Sequence, residues 1–425
     1  MSPSVDLADR TDRPASEAIP SRKFGERQVP SLEVLKELTA RNPVSYPLST
    51  EVIKKIPVYD LAKYDIDEGA VYDLTKHDIE DEPMEDLSER LMDEWHHIIL
   101  SGPGVYILRN FVRNPSLIRK VNKVFDRIID AEREASKGDH FAAKGHNSRI
   151  WNSFQKHAEQ DPESFVQYYS NPWLAKVCKS WLGPMYQVTA QVNIVHPGCT
   201  PQTVHRDYHL GFQNDTCSRA FPKTMHIASQ HLTLQGAIAH SNMPSESGPT
   251  RFLPFSQVLE DGFLAYRQRD FATYFDENWV SAPLLEGDAV FFNPLLFHAA
   301  GKNDTTDIQR SANLLQISSA FGRTMESIDT VGIIKKTLPY IIKMHRDEDG
   351  DFELSPEVAA VVHAVAAGYA FPTNLDRRLP QEHSRTPESE QELLWKAIGA
   401  GWSEDRIMSQ LRQMKRESSS LTKLN

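Results

Sequence analysis

The sequence predicts a β core of the barrel or sandwich type, with helices before and after it. Short runs rich in β-branched and aromatic residues occupy the middle of the chain, separated by Pro, Gly, Asn and Asp. Apolar residues before this region recur at helical spacing, and three N-cap patterns follow it. The predicted strands of the core comprise residues 187–196, 231–239, 289–292 and 310–321.

The N-terminal part divides into a lead and an extension. Residues 1–30 are polar, contain Pro and Ser, and predict a disordered lead. Residues 31–85 form the extension, in which Ser31 caps a short helix. The extension also holds a near-duplicate, residues 58–66 and 71–79, with seven of nine positions identical. Two copies are too few for a solenoid, so we interpret them as paired surface turns or short strands.

Helical and strand-like segments precede and follow the core. The spacing of Leu87, Leu91, Trp95 and Ile98 predicts a helix over residues 87–100. Residues 105–108 are strand-like, and an amphipathic helix follows over about 115–136. A C-terminal helical extension, residues 326–425, is indicated by three N-cap patterns, at Ser355, Thr386 and Ser403.

Composition narrows the class of function. The chain has 425 residues, with 40% hydrophobic and 25% charged residues, which is typical of a globular protein in water. Its 58 acidic and 47 basic residues give a net charge of -11. A nucleic-acid-binding protein would show a basic face, so this balance favours a small-molecule substrate.

Cysteine usage and targeting signals predict a cytoplasmic protein. Cys178, Cys199 and Cys217 are too few and too widely spaced for a disulfide scaffold or a four-thiolate zinc site. No apolar signal segment begins the chain, and the apolar run 358–371 is too short to cross a bilayer. The last residues, Lys423-Leu424-Asn425, do not match a peroxisomal signal.

A candidate metal site begins at residues 203–209. In an extended strand alternate side chains share a face, so His205, Asp207 and His209 are expected to point the same way. An imidazole and a carboxylate two residues apart can bind one metal ion, and a second imidazole would complete a facial triad with three open positions. In a chain with 16 histidines such a triplet alone is weak evidence. His209 could contact substrate, be a spare ligand, or be a polar residue at the barrel mouth.

Two later residues complete the candidate set. Residues 286–298 form a turn, a hydrophobic strand and then His298, which alone could equally be a core histidine. Arg310 follows, and a hairpin centred on Asp304 would place it opposite His298. Its guanidinium could grip the distal carboxylate of 2-oxoglutarate, or it could pair at the surface with Asp304 or Asp307. The ordered combination of His205, Asp207, His298 and Arg310 favours the metal site.

With these residues the chain resembles the phytanoyl-CoA dioxygenase family of Fe(II)/2-oxoglutarate oxygenases. The resemblance covers roughly residues 87–325 and implies an α+β fold: a double-stranded β-helix (jelly-roll, cupin-like) core flanked by N- and C-terminal helices. We therefore expect an oxygenase domain at 86–325 with its β core at about 186–325. The matching segments are residues 104–109, 204–207, 248–256 and 287–292, with His298 and Arg310.

The resemblance also implies the site and the reaction. Fe(II) would be bound by His205, Asp207 and His298, with O2 and 2-oxoglutarate as co-substrates and Arg310 as the anchor of the latter. In similar fungal members, further contacts to 2-oxoglutarate correspond to Thr203 or Gln202, to Thr250 and, more weakly, to Gln191. The expected enzyme hydroxylates a small organic substrate and releases succinate and CO2. One departure is Phe255-Ser256-Gln257, where family members commonly have Gly-Ser-His.

Two alternatives remain from the sequence. A Zn- or Mn-dependent jelly-roll hydrolase or isomerase would keep the triad but have no use for Arg310. A non-catalytic metal- or ligand-binding protein on a decayed oxygenase fold is the other alternative, against which the presence of all three candidate ligands and Arg310 argues. We expect no nucleic-acid or membrane partner, and the sequence does not determine the oligomeric state.

Overall fold

The computed structural model describes residues 19–67, 70–73, 84–132, 147–347, 354–382 and 384–419. In these ranges helices pack on the outer face of a large sheet, and a smaller sheet lies against its inner face. The strands are β1 (Glu51–Ile53), β2 (Ile56–Asp60), β3 (Tyr64–Asp67), β4 (Ala70–Asp73), β5 (Val105–Arg109), β6 (Asn147–Ile150), β7 (Gln187–Val195), β8 (Thr233–Ala239), β9 (Arg251–Leu253), β10 (Ala289–Phe292), β11 (Phe297–Ala299) and β12 (Arg310–Ser318). The helices are α1 (Leu32–Thr39), α2 (Met84–Leu100), α3 (Pro115–Glu132), α4 (Ser153–Gln160), α5 (Pro162–Tyr169), α6 (Pro172–Leu182), α7 (Asp215–Ala220), α8 (Lys223–His231), α9 (Gly262–Ala265), α10 (Arg269–Asn278), α11 (Thr330–Asp347), α12 (Pro356–Val365), α13 (Glu390–Gly399) and α14 (Glu404–Ser418).

The two sheets form a double-stranded β-helix. The major sheet has the order β1-β2-β5-β10-β8-β12-β7-β6, and its pairs are antiparallel except β2 with β5. The minor sheet pairs β9 with β11 and is extended by single bridges from Phe252 to Val280 and from His298 to His205. From β7 to β12 the chain passes repeatedly between the sheets, and the predicted jelly-roll fold is confirmed.

The core has an inner and an outer layer. Apolar side chains between the sheets include Val105, Ile107, Val290 and Phe292, which alternate along β5 and β10 as the pleat requires. The outer face of the major sheet is covered by the predicted N-terminal helices and by the C-terminal helices α11 to α14. Because these helices cover the outer face of the major sheet, a functional site is expected on its inner face, between the two sheets.

Several sequence predictions need correction. Residues 19–30 were included in the disordered lead, but Phe24 is buried and contacts His226 at a ring distance of 4.9 Å. The near-duplicate is confirmed in part as paired short strands, because residues 64–66 of the first copy, in β3, pair with residues 71–73 of the second, in β4. The first copy also includes part of β2, which lies in the major sheet and is mostly buried rather than at the surface. The second copy after Asp73 lies outside the described residues. Residues 231 and 232 precede β8 because helix α8 ends at His231.

The N-cap predictions are confirmed at two of three places. Ser355 and Ser403 accept hydrogen bonds from the backbone of Val358 and Arg406 and begin α12 and α14. Thr386 caps no helix. The helix starts later, at Ser389, because Ser389 and Glu392 form a reciprocal capping box.

Within the described ranges no helix is long and apolar enough to span a membrane. No disulfide joins Cys178, Cys199 and Cys217 within the described residues, and Cys178 and Cys199 are buried.

A buried histidine links the outer helices to the major sheet. His240 follows β8, and its Nδ1 lies 2.6 Å from Asn122 Oδ1 of α3. Its Nε2 lies 2.8 Å from the Tyr168 hydroxyl of α5, which also accepts from Asn313 of β12. The Asn122 carbonyl oxygen must accept from Nδ1–H, so the ring is neutral and its Nε2 accepts from Tyr168. Burial and, to a smaller extent, the neighbouring His157 lower the pKa of His240 to about 3.

This pKa predicts an acid-sensitive fold. The unfolded chain takes up a proton at His240 near pH 6.5, whereas the folded chain does so only near pH 3. The free energy of unfolding should therefore fall as the pH drops through this window, by up to about 1.4 kcal/mol per pH unit for this group. Urea unfolding at pH 7.5, 6 and 5 should show a smaller pH slope for His240→Asn than for wild type. Equal slopes would contradict the assignment.

Candidate metal centre

Three predicted ligand residues meet at the open end of the β-helix. His205 lies on the edge segment of the minor sheet, Asp207 two residues later, and His298 on β11. One ligand atom from each lies within 4.8 Å of the others. Asp207 Oδ2 is 3.6 Å from His298 Nε2 and 3.9 Å from His205 Nε2. Two imidazoles and one carboxylate therefore face a common point.

Both imidazoles are held in the tautomer that a metal ligand needs. His205 Nδ1 lies 2.9 Å from the Thr203 carbonyl oxygen, and His298 Nδ1 lies 2.8 Å from that of Leu296. Because a carbonyl only accepts, each Nδ1 carries the proton and each Nε2 lone pair is directed to the centre. Burial and the neighbouring His298 lower the pKa of His205, which favours the neutral ring.

The carboxylate is kept ionised. Burial by itself would raise the pKa of Asp207, but the two imidazoles and the amide of Gln235 outweigh it, so the pKa lies well below its ordinary value. Neutral imidazole nitrogens and an ionised carboxylate form the donor set that suits a divalent transition metal. The residues present thus fit an iron site.

His209 is not part of this centre. The chain leaves the extended conformation after Asp207 and enters a 3-10 helix, His209–Phe212, in which His209 has a φ of 45°. The alternation that would align His209 with His205 and Asp207 therefore ends. Its imidazole instead interacts with the backbone of Ser229.

Arg310 lines the same cavity, but not through the predicted hairpin. His298 lies in the minor sheet, whereas Arg310 pairs with Val195 in the major sheet. The intervening loop crosses between sheets, and the Asn303 amide fixes it by donating to the carbonyls of Val195 and Ile308. Arg310 is buried, which lowers its pKa to about 10, and its Nη1 has no hydrogen-bond partner among the described residues. A buried guanidinium in this state suits a carboxylate ligand.

The remaining candidate residues differ in whether they line the cavity that contains the triad. A cavity of about 100 Å³ contains the triad and Arg310, and Gln202 and Thr250 line it. Thr203 is exposed and does not line this cavity, but lines a neighbouring cleft to which Gln202, His205 and Asp207 also contribute. Gln191 is fully buried beside the cavity wall, where its amide contacts Arg149 and Met325. Of the pair Thr203 and Gln202, the structure brings Gln202 to the cavity.

Comparisons with known proteins agree with this geometry. Residues 101–312 match the family model described as "Phytanoyl-CoA dioxygenase (PhyH)". The chain belongs to the phytanoyl-CoA dioxygenase family. The prediction of Fe(II) and 2-oxoglutarate as metal and co-substrate agrees with this membership and with the donor set.

The individual proteins that resemble this chain share only a small part of its sequence. "Dioxygenase andF" from Emericella variicolor is 24% identical over 223 residues, which cover 50% of this chain and 69% of that protein. Among solved structures, the 2-oxoglutarate-dependent carbocyclase SnoK has a TM-score of 0.41 and 18% identity, covering 55% of this chain and 86% of that one. The epimerase SnoN has a TM-score of 0.40 and 16% identity, covering 55% and 82%. Both structures are from nogalamycin biosynthesis.

The sequence analysis did not identify several polar residues that line this cavity or contact the triad. Gln235 of β8 donates from Nε2 to Asp207 Oδ2 at 3.0 Å and to Gln316 Oε1 at 3.1 Å. Arg149 of β6 and Asn193 of β7 also line the cavity. A signal was available for Gln235, because it interrupts the otherwise apolar run of residues 234–239 in β8.

The loop that departs from the family pattern supports the ligand segments. Arg206 lies between the candidate ligands His205 and Asp207 in the sequence. It is fully buried and donates from Nη2 to the carbonyls of Ser256 and Leu259. The Ser256 hydroxyl accepts from the backbone of Phe297, next to His298. Gln257 is buried and donates to the Gly102 carbonyl. Residues 255–259 therefore contact both ligand-bearing segments.

This packing predicts that Gly262→Ala damages the metal centre. A Cβ at this position would lie 1.9 Å from Arg206 Cζ, and the guanidinium is held by Ser256 and Leu259 and cannot retreat easily. We expect a loss of about 1–3 kcal/mol in the free energy of unfolding, from overpacking. Co(II) affinity should also fall, because Arg206 precedes Asp207 directly.

The measurement is urea unfolding together with Co(II) titration. Gly25→Ala is the matched control, because its Cβ would meet its nearest neighbour at an ordinary 3.8 Å. Wild-type stability and Co(II) affinity in Gly262→Ala would argue against the role of this packing.

Proposed function

We propose that the chain is an Fe(II)- and 2-oxoglutarate-dependent dioxygenase that hydroxylates a small organic substrate and releases succinate and CO2. The observation that carries the proposal is the presence of the His205–Asp207–His298 triad and the buried Arg310 in one cavity. The proposal assigns His205 Nε2, Asp207 and His298 Nε2 as metal ligands.

Each residue has a defined task in the proposed reaction. Arg310 would bind the distal carboxylate of 2-oxoglutarate, with Gln202 and Thr250 beside it, and the apolar wall of Ile107, Val290 and Leu314 would exclude water. Bound iron would supply the coupled oxidation of 2-oxoglutarate and substrate by O2. The Nδ1–H groups of His205 and His298 donate to backbone carbonyls, which leaves each Nε2 as the atom that would bind the metal.

A Zn- or Mn-dependent hydrolase or isomerase is the second candidate that shares the triad. It gives no reason for a buried Arg310 whose Nη1 lacks a partner within the described ranges. An unsatisfied buried donor costs about 1–3 kcal/mol, and more for a charged group, so its presence favours a carboxylate co-substrate. A non-catalytic protein gives no reason for it either.

The decisive test is 2-oxoglutarate binding to the anaerobic Fe(II)-loaded protein. Calorimetry should show saturable binding to wild type and no Fe(II) binding to His205→Ala. Arg310→Gln should bind Fe(II) normally but 2-oxoglutarate at least about 10-fold more weakly, since a charge-assisted bond is worth roughly 1.5–3 kcal/mol. Arg269→Gln, at an exposed arginine, is the control and should match wild type.

Two results would count against the proposal. Binding of 2-oxoglutarate that does not depend on Arg310 would remove the assigned anchor. Fe(II) binding without any 2-oxoglutarate binding would favour the hydrolase or isomerase. Succinate release on substrate screening would then distinguish a working oxygenase from a binding protein.

The three cysteines form no disulfide within the described residues, which fits a reducing compartment, and on this basis we propose a cytoplasmic location.

A further inference from the structure

We infer that Gln235 is a positioning residue that orients the Asp207 carboxylate, an inference that rests on the proposed metal site. Gln235 lies in β8, where all seven residues are buried, and is itself 2% exposed. It reaches the centre from the major sheet, whereas the triad residues belong to the opposite, minor-sheet side. Its hydrogen bond to Asp207 therefore connects the major sheet to the minor-sheet side at the proposed metal site.

The hydrogen bond is made to a particular oxygen. Gln235 Nε2 donates to Oδ2 of Asp207, which is also the oxygen nearest to both imidazole Nε2 atoms. In the described part of the chain no other amide and no hydroxyl donates to this carboxylate. Pairing of Asp207 N with the Pro294 carbonyl fixes the backbone, but the rotation of the carboxylate depends on Gln235.

The chemistry of the carboxylate fixes the orientation of the amide. An ionised carboxylate only accepts hydrogen bonds, so the nitrogen of Gln235 must face Asp207. Gln316 lies directly opposite Gln235 in the pairing of β8 with β12, and its Oε1 accepts a second bond from the same nitrogen. The nitrogen of Gln235 thus donates two hydrogen bonds, one to Asp207 and one to Gln316.

This orientation has an energetic cost. Gln235 Oε1 is buried and has no partner among the residues described. A buried carbonyl without a hydrogen-bond partner destabilises the fold, and a leucine of similar size would avoid this cost. Glutamine at this position is explained by its bond to the ligand oxygen and not by the packing of the strand.

The test is Co(II) binding followed by ligand-field absorption, in wild type and in Gln235→Leu. Loss of a bond to a metal ligand typically weakens metal binding by about 10- to 100-fold, and we expect a loss of this size with a changed spectrum. The thermal midpoint of the metal-free protein should change little, because the variant removes the unpartnered Gln235 Oε1 but also leaves Gln316 Oε1 and Asp207 Oδ2 without their donor. Gln187→Leu, a half-buried glutamine at the start of β7, is the control and should match wild type.

Gln316→Leu provides a second variant if Gln235→Leu does not fold. It removes the acceptor that holds the amide, so its Co(II) spectrum should change with a smaller loss of affinity. Wild-type affinity and spectrum in both variants would overturn the inference and leave the proposed function intact. A wild-type protein that binds no Co(II) or Fe(II) would overturn both.

Discussion

Backbone pairing between the two ligand-bearing segments is the interaction on which the metal centre depends. His205 and His298 exchange hydrogen bonds of 3.0 and 3.2 Å, and Asp207 N donates to the Pro294 carbonyl at 3.0 Å. Gln202 N donates to Ala300, so the pairing continues toward the Arg310 end of the cavity. In a strand a shift by one residue would turn each side chain to the opposite face. The register therefore decides whether the triad exists.

The buried Arg206 stabilises this backbone pairing from the side opposite the candidate metal centre. Arg206 points away from the metal, and its guanidinium lies 5.6 Å from the ring of Phe263 and 5.1 Å from that of Phe297. Burial lowers its pKa to about 9, yet Nε and Nη1 have no hydrogen-bond partner among the described residues. Such a charge is costly unless its contacts are well formed, and the two loop carbonyls and the two rings provide these contacts. They join the loop of residues 255–259 to the segment that contains His205 and Asp207.

The segment between Asp207 and β8 extends this support to the N-terminal part of the chain. Arg219 of α7 donates to the carbonyls of Gly25 and Gln28, and Lys223 N donates to the Arg22 carbonyl. Phe24 fills the space beside His226. The same segment contains Phe212, which lines the cavity. Residues remote in sequence thus pack behind the entrance to the proposed active site.

The sequence by itself determined the fold class, the main strands and helices, and the identity of the three residues that meet at the centre. Local rules suffice for the strands, the helices and the His205–Asp207 pair, because strand periodicity, N-caps and the two-residue spacing of this pair act over a few positions. The jelly-roll fold and the choice of His298 depended on the order of motifs along the chain and on the family resemblance that they carry. Tertiary structure decided the rest. It placed His298 and Arg310 on different sheets rather than on one hairpin, turned His209 away, and brought Gln235 to Asp207 across the interior. These outcomes depend on which strands become neighbours, and that is set by packing between segments distant in sequence, which no local pattern encodes.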